Sequence, residues 1–227
     1  MNESISNLHV RVHKLDRSIS TFVQEDFGKS KQILEDFRPM DLFNEQKIVL
    51  ADRNSHTTIP VCQITRVDLD SGQHSHLLFP TGLVEAVELS KIEFETLIQN
   101  VTIRDQWKHL GEQDAFVVTF LNIEMADGQS VLLTMEVDAK SPQGLSELRD
   151  YLLSRSGLCF RMRSGGVAVL NLANLARLTF FPGTLQPPAE AWNVRLLETE
   201  QSTKPADSPS PDPVPMSRKK LTIQQRV

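Results

Sequence analysis

Apolar and polar residues alternate with a period of two through much of this chain, the spacing of half-buried strands. Leu8, Val10 and Val12 alternate with His9, Arg11 and His13, and Leu121, Ile123 and Met125 alternate with Asn122 and Glu124. Each run meets turn chemistry. Asp16-Arg17-Ser18 returns the chain into residues 19–23, and Asp127-Gly128, a favoured tight-turn pair, returns it into Val131, Leu133, Met135 and Val137. Two hairpins are therefore predicted. Arg17 stands where the second hairpin has Gly128, and the first return strand has its apolar residues on a different parity, so the first turn is expected to be one residue longer or bulged.

The period lengthens after each hairpin. Ser141-Pro142 suits an N-cap and first helical turn, after which Leu145, Leu148, Tyr151 and Leu152 line one face; earlier in the chain Ile33, Leu34 and Phe37 do the same, ending at Pro39. Short strands come next, at 48–51 and 57–61 and again at 159–162 and 167–172, the later pair turning through Ser164-Gly165-Gly166. The alternation then slips. Ile59 and Val61 are followed by Ile64, Val67 and Leu69, and Leu170 and Leu172 by Leu175, Leu178 and Phe180. A short 3₁₀ step between two strands accounts for both slips.

These elements recur in one order at one spacing. Residues 158–181 lie on 47–70 without a gap at an offset of 111 residues, and the same offset sets Asp16 under Asp127, Glu25 under Glu136, Gln32 under Gln143, Arg38 under Arg149 and Arg66 under Arg177. The sequence therefore reads as two divergent copies of one unit, at 8–70 and 119–181. Between them lie a strand candidate at 83–89, a helix candidate at 91–97 and Trp107; after the second copy, Phe181-Pro182 parallels Phe79-Pro80, and 194–197 could match the strand at 83–89. From about Thr199 the chain turns to Pro, Ser and charged residues and reads as a disordered tail. The expected fold class is α+β, mainly β: two tandem small SH3-like or Sm-like β units, each with one packed helix, divided as 1–118, 119–198 and a tail at 199–227.

Composition changes this picture little. An apolar fraction of 40% over 227 residues is that of an ordinary globular protein, and the net charge of −5 gives no global attraction to nucleic acid or to an anionic membrane. Cys62 and Cys159 fall at non-equivalent places with no CxxC, so both are expected to be buried thiols in a reducing compartment. With no apolar run of bilayer length and no basic-then-apolar start, the expectation is a soluble, cytoplasmic protein that does not engage a membrane.

Candidate chemistry is sparse. His74 and His76, with Asp68 and Asp70 upstream, have ligand-like spacing, but no further His or Cys follows at a defining distance and the second copy has no equivalent, so no metal and no cofactor is expected. Ser55-His56 are adjacent in sequence, which does not supply nucleophile-to-base geometry, and the Gly165-Gly166 turn joins two strands without the Lys of a phosphate-binding loop. His9 and His13 read as the solvent face of the first strand. Arg66 and Arg177 project from the same place in the last strand of each copy; both are expected to point outward, either as a repeated clamp for anionic groups or as solvated strand arginines. Leu77, Leu78 and Phe79 concentrate apolar residues without periodicity, so they either close over a core or offer a patch to a partner. The basic end Ser217-Arg218-Lys219-Lys220 reads as a short linear motif, a nucleic-acid contact or simply a solvated tail.

The run of strand, Asp-Gly turn, strand, helix, short strands and then V-L-N-L-x-x-L-x-R-L, clearest over residues 120–180, resembles small bacterial β-rich domains of unknown function. That resemblance implies a β fold with one packed helix and brings no activity, cofactor or catalytic residue. The functional expectation is a non-enzymatic interaction or regulatory module that holds another macromolecule, with a protein partner and with Arg66, Arg177, Leu77, Leu78 and Phe79 as binding residues. The alternatives are a small-barrel nucleic-acid binder, disfavoured by charge and low aromatic content, and a domain that senses a small molecule or nucleotide.

Overall fold

The computed structural model describes residues 7–51, 55–71, 86–100, 116–138 and 144–181. Its first hairpin joins β1 (Leu8–Lys14) to β2 (Ile19–Gln24), followed by α1 (Phe27–Asp36), the hairpin β3 (Lys47–Ala51) and β4 (His56–Pro60), a 3₁₀ turn η1 (Val61–Gln63) and β5 (Ile64–Asp70). Next come the short strand β6 (Ala86–Glu88) and α2 (Lys91–Asn100). The same order then returns: β7 (Phe116–Met125), β8 (Ser130–Asp138), α3 (Gly144–Leu153), β9 (Gly157–Arg161), β10 (Val167–Asn171), a 3₁₀ turn η2 (Leu172–Asn174) and β11 (Leu175–Phe181). The chain is thus mainly β, with helices added.

Nine strands share one sheet in the order β11-β7-β8-β6-β9-β10-β5-β1-β2, and β3 and β4 form a separate two-stranded sheet. The ladder that joins the two stretches is β10 against β5, from Val167↔Leu69 to Leu170↔Arg66. Gly166 makes this approach achievable. A Cβ there would lie 2.4 Å from the Leu69 carbonyl oxygen and 2.6 Å from the Met162 methyl, so any side chain would push the two strands apart.

Alternation explains where the cores form. Leu121, Ile123 and Met125 of β7 and Val131, Leu133 and Met135 of β8 share one face and pack with Leu148 and Leu152 of α3 and Phe160 of β9. A second core gathers Val12, Phe43, Ile59, Val61, Ile64 and Val67. The hairpin β9–β10 serves both: Leu158, Phe160, Ala168 and Leu170 enter the first core, while Cys159, Val167 and Val169 enter the second. Burial on both faces is why β10 reads as a nearly continuous apolar run.

Both first-type turns are three residues long. Met125 N donates to Gln129 O and Gly128 N to Met125 O; Lys14 N donates to Ser18 O and Arg17 N to Lys14 O, the same bonds 111 residues earlier. Gly128 has φ +85° and Arg17 φ +69°, the left-handed position that closes a three-residue hairpin loop with a bulge. Of the two alternatives expected for the first turn, it is bulged rather than longer, and the second turn is bulged as well, because Arg17 adopts the conformation that Gly128 adopts more easily. Asp16 and Asp127 each accept the amide two residues on, from Ser18 and Gln129, at 2.9 and 2.8 Å. Ser18 also donates its hydroxyl to Asp16, and together these bonds hold the Asp16 carboxyl below its ordinary range.

The helices meet their sheets through fewer residues than the pattern suggested. On α1, capped by Asp26 accepting from Lys29 N, Leu34 is buried and Ile33 is exposed. On α3, Leu148 and Leu152 are buried, whereas Tyr151 is exposed with the Arg155 guanidinium carbon 4.7 Å from its ring centroid. On α2, Ser90 and Glu93 exchange side-chain to backbone bonds as a capping box, which lowers the Glu93 carboxyl, and Phe94 sets its ring edge-on to Phe120 and Phe181.

Candidate functional site

Arg66 and Arg177 occupy the same backbone place in their strands. Arg66 pairs across the ladder with His13, Arg177 with Glu124, and both ladders break register at the same step beside them. Their surroundings differ. β5 has β10 on its other side, whereas β11 has no second neighbour among the described strands.

The side chain of Arg66 is only 13% exposed. Its Nε donates to Asp68 Oδ1 at 2.5 Å, a terminal nitrogen lies 3.6 Å from Glu88 of β6, and the guanidinium carbon sits 5.1 Å from the centroid of the Phe160 ring. The outward facing expected for Arg66 is overturned: the sheet continues past β5, so a long side chain on that face lies over β9 rather than in water. Removing it would uncover a buried carboxylate. Arg177 does face solvent, 41% exposed and paired with Glu124.

Asp68 is the centre of this network. Its Oδ2 lies 2.9 Å from His13 Nε2, and the Gln129 side-chain nitrogen lies 3.4 Å from His13 Nδ1. The carboxylate on one side and the amide on the other thus engage both ring nitrogens of His13. Burial pushes the Asp68 carboxyl up, but the His13 hydrogen bond and the Arg66 charge outweigh burial and hold it below the ordinary carboxylate range. His13 is therefore not on a solvent face, as its place in β1 suggested; it is covered where the two hairpin turns meet. The arrangement fixes side chains in place, with both Asp68 oxygens and both His13 nitrogens engaged.

Further contacts join the stretches. Arg17 Nε donates to the Asp127 carbonyl at 2.8 Å, and the Asp127 carboxylate accepts from the buried hydroxyl of Thr65 at 2.8 Å. At the 3₁₀ turns, Asn171 Nδ2 donates to Val61 O at 3.0 Å and to Ile64 O at 2.8 Å, and Asn174 Nδ2 donates to Ile64 O at 2.7 Å. The η1 turn also sets Cys62 at the surface, against the expectation of two buried thiols; Cys159 is buried in the second core.

A cleft of about 300 Å³ lies elsewhere, between β2, α1 and the β3–β4 hairpin. Thr21, Phe22, Val23 and Gln24 form one wall and Leu50 and Ala51 the other, with Val10, Ile33, Ser55 and Thr57 completing it. Among the described residues β2 pairs only with β1, and β3 only with β4, so each wall is the outer edge of a strand. The apolar surface around it is exposed: Val23 at 48%, and Ile19, Ile33 and Val49 likewise in solvent. Sequence reasoning gave no sign of this site. Its one trace was the changed parity of apolar residues in β2, which places Ile19, Thr21 and Val23 on the exposed side.

Leu77, Leu78, Phe79, His74, His76 and the tail at 199–227 lie outside the described residues. Ser164-Gly165-Gly166 is a hairpin turn, closed by Gly165 N donating to Met162 O. Among the described residues no group of three or more His, Cys, Asp or Glu side chains is placed to hold a metal ion, and no helix is long and apolar enough to cross a membrane. The chain matches no protein-family model, no curated protein and no solved structure.

Proposed function

We infer that this chain is a non-enzymatic adaptor that holds another protein, built from two divergent copies of one small SH3-like β unit. The observation that carries the reading is the apolar cleft whose facing walls are the outer edges of β2 and β3. Strand edges present rows of backbone donors and acceptors, which natural proteins cover, charge or use for binding. Here β2 offers Thr21 and Val23 to the cleft on its exposed side, with no charged residue beside them in the strand. Support for duplication comes from the element order, the shared turn bonds and the shared ladder irregularity, all at one spacing. A reducing, cytoplasmic setting suits an exposed Cys62 and a buried Cys159.

The reading is tested by capturing partners on the immobilised full chain and on a Val23→Asp, Val49→Asp variant with unchanged melting behaviour. Loss of the captured proteins by the variant is the expected result. Capture that persists unchanged removes the cleft from the binding surface.

A further inference from the structure

The cleft of the first stretch has a counterpart in the second, and there it is filled. β6 lies between β8 and β9, antiparallel to β8 through Val87↔Thr134 and Glu88↔Leu133 and parallel to β9 through Ala86↔Phe160 and Val87↔Arg161. Leu89 N extends the ladder with a 2.8 Å bond to Leu132 O. At the 111-residue spacing, Leu132, Leu133 and Thr134 become Thr21, Phe22 and Val23, and Arg161 becomes Leu50. All four of these line the cleft. The β3–β4 hairpin is paired one residue out of step with β9–β10, Ala51↔His56 against Arg161↔Val167, which brings Ala51 to the Arg161 position; Ala51 lines the cleft as well.

Resting on the adaptor reading, we propose that the cleft is a vacant strand position and that its occupant is an extended segment of a partner protein. The segment runs antiparallel to β2 and parallel to β3. The β6 precedent also defines its side chains. Ala86 is buried at 2% and Val87 is 43% exposed, so the segment carries a small apolar residue facing inward and alternates it with residues that tolerate water. Glu88, at the next inward-facing place, takes up Arg163 N at 3.1 Å and lies 3.6 Å from Arg66. Main-chain bonds to two edges at once hold the segment, and inward-facing residues select it.

The probe is a blocked synthetic peptide with the β6 sequence, Val-Glu-Ala-Val-Glu-Leu, added to the full chain. Labelled-peptide titration and amide exchange are read together. Saturable binding that slows exchange of β2 and β3 amides, and that weakens at least about tenfold in Val23→Asp but not in Ile19→Lys, supports the proposal. Ile19 lies on the same exposed strand without lining the cleft. Binding that leaves β2 and β3 unprotected, or that Val23→Asp does not weaken, overturns it. Protection already present in the free full chain and lost in Leu197→Asp would assign the position to this chain's own segment, and a concentration-dependent dimer that the peptide dissociates would assign it to a second copy; either overturns the foreign partner. If partner capture survives in a Val23→Asp chain that no longer binds the peptide, the adaptor reading stands and the strand proposal falls.

Discussion

Arg66 of β5 lies over the ring of Phe160 on β9, its guanidinium carbon 5.1 Å from the centroid, so a side chain from the first stretch covers a fully buried ring of the second. The same guanidinium neutralises Asp68 and approaches Glu88 on β6. One arginine therefore ties β5, β9 and β6 together.

Its removal should be far more damaging than removal of its counterpart. Arg66→Ala leaves the Asp68 carboxylate buried with one partner fewer, a loss of about 3–5 kcal/mol for a broken buried pair. Arg177→Ala breaks a pair that is open to solvent and should cost under about 1 kcal/mol. Urea denaturation of the two variants measures the difference, and equal losses would contradict the burial assigned to Arg66.

Asp68 should also make stability depend on acid. Its carboxyl is held below the ordinary value of 3.8, so the folded chain binds this proton less readily than the unfolded chain does. The contribution is complete above about pH 4 and is lost as the pH falls through the lowered folded value. Asp68→Asn should therefore be less stable near pH 7 and show a shallower decline below pH 4. Denaturation midpoints across that range provide the test; parallel curves for the two proteins would exclude Asp68 as the titrating group.

Much of this fold was written in local pattern, because strand period, turn chemistry and the 3₁₀ phase slip are set by neighbouring residues. The slips at 61–63 and 172–174 both became 3₁₀ turns, and the helix candidate at 91–97 became α2. What sequence did not reveal depends on which strands become neighbours. Arg66 and Arg177 have one local context and two environments, since β10 covers β5 and no described strand takes that place beside β11. His13 alternates as a solvent-facing residue would, yet Asp68 and Gln129 meet it from 55 and 116 residues away. The cleft was invisible for the same reason: its walls on β2 and the β3–β4 hairpin come from strands that face each other only in the fold.

The first hairpin turn offers a test of local strain. Arg17 has φ +69°, where a non-glycine residue costs about 1–2 kcal/mol, while its Nε donates to Asp127 O at 2.8 Å. Arg17→Ala keeps the strain and loses the bond, so it should destabilise by about 1 kcal/mol. Arg17→Gly loses the same bond but relieves the strain, and should be close to neutral. Thermal melts that place glycine below alanine would show that the left-handed conformation is not what limits this turn.

Asn171 at the junction of the 3₁₀ turns carries the sharpest chemical prediction. The side chain is fully buried; its amide donates to Val61 O and Ile64 O, and its oxygen accepts from Ala173 N at 3.1 Å. Asn171→Ala leaves the Ala173 amide without its acceptor and takes one donor each from Val61 O, which keeps the Ile64 amide, and from Ile64 O, which keeps Asn174, so it should cost about 1–3 kcal/mol. Asn171→Asp should cost more near pH 7, because a carboxylate would face two carbonyl oxygens in a dry site, where burial of charge is penalised further. Protonation restores one donor, so the Asp variant should regain stability relative to the Ala variant on acidification to about pH 5, the direction in which burial shifts a carboxyl. Urea midpoints of both variants at the two pH values decide it. An Asp variant that stays below Ala by the same margin at both would mean that the Val61 and Ile64 carbonyls are not what the Asn171 amide satisfies.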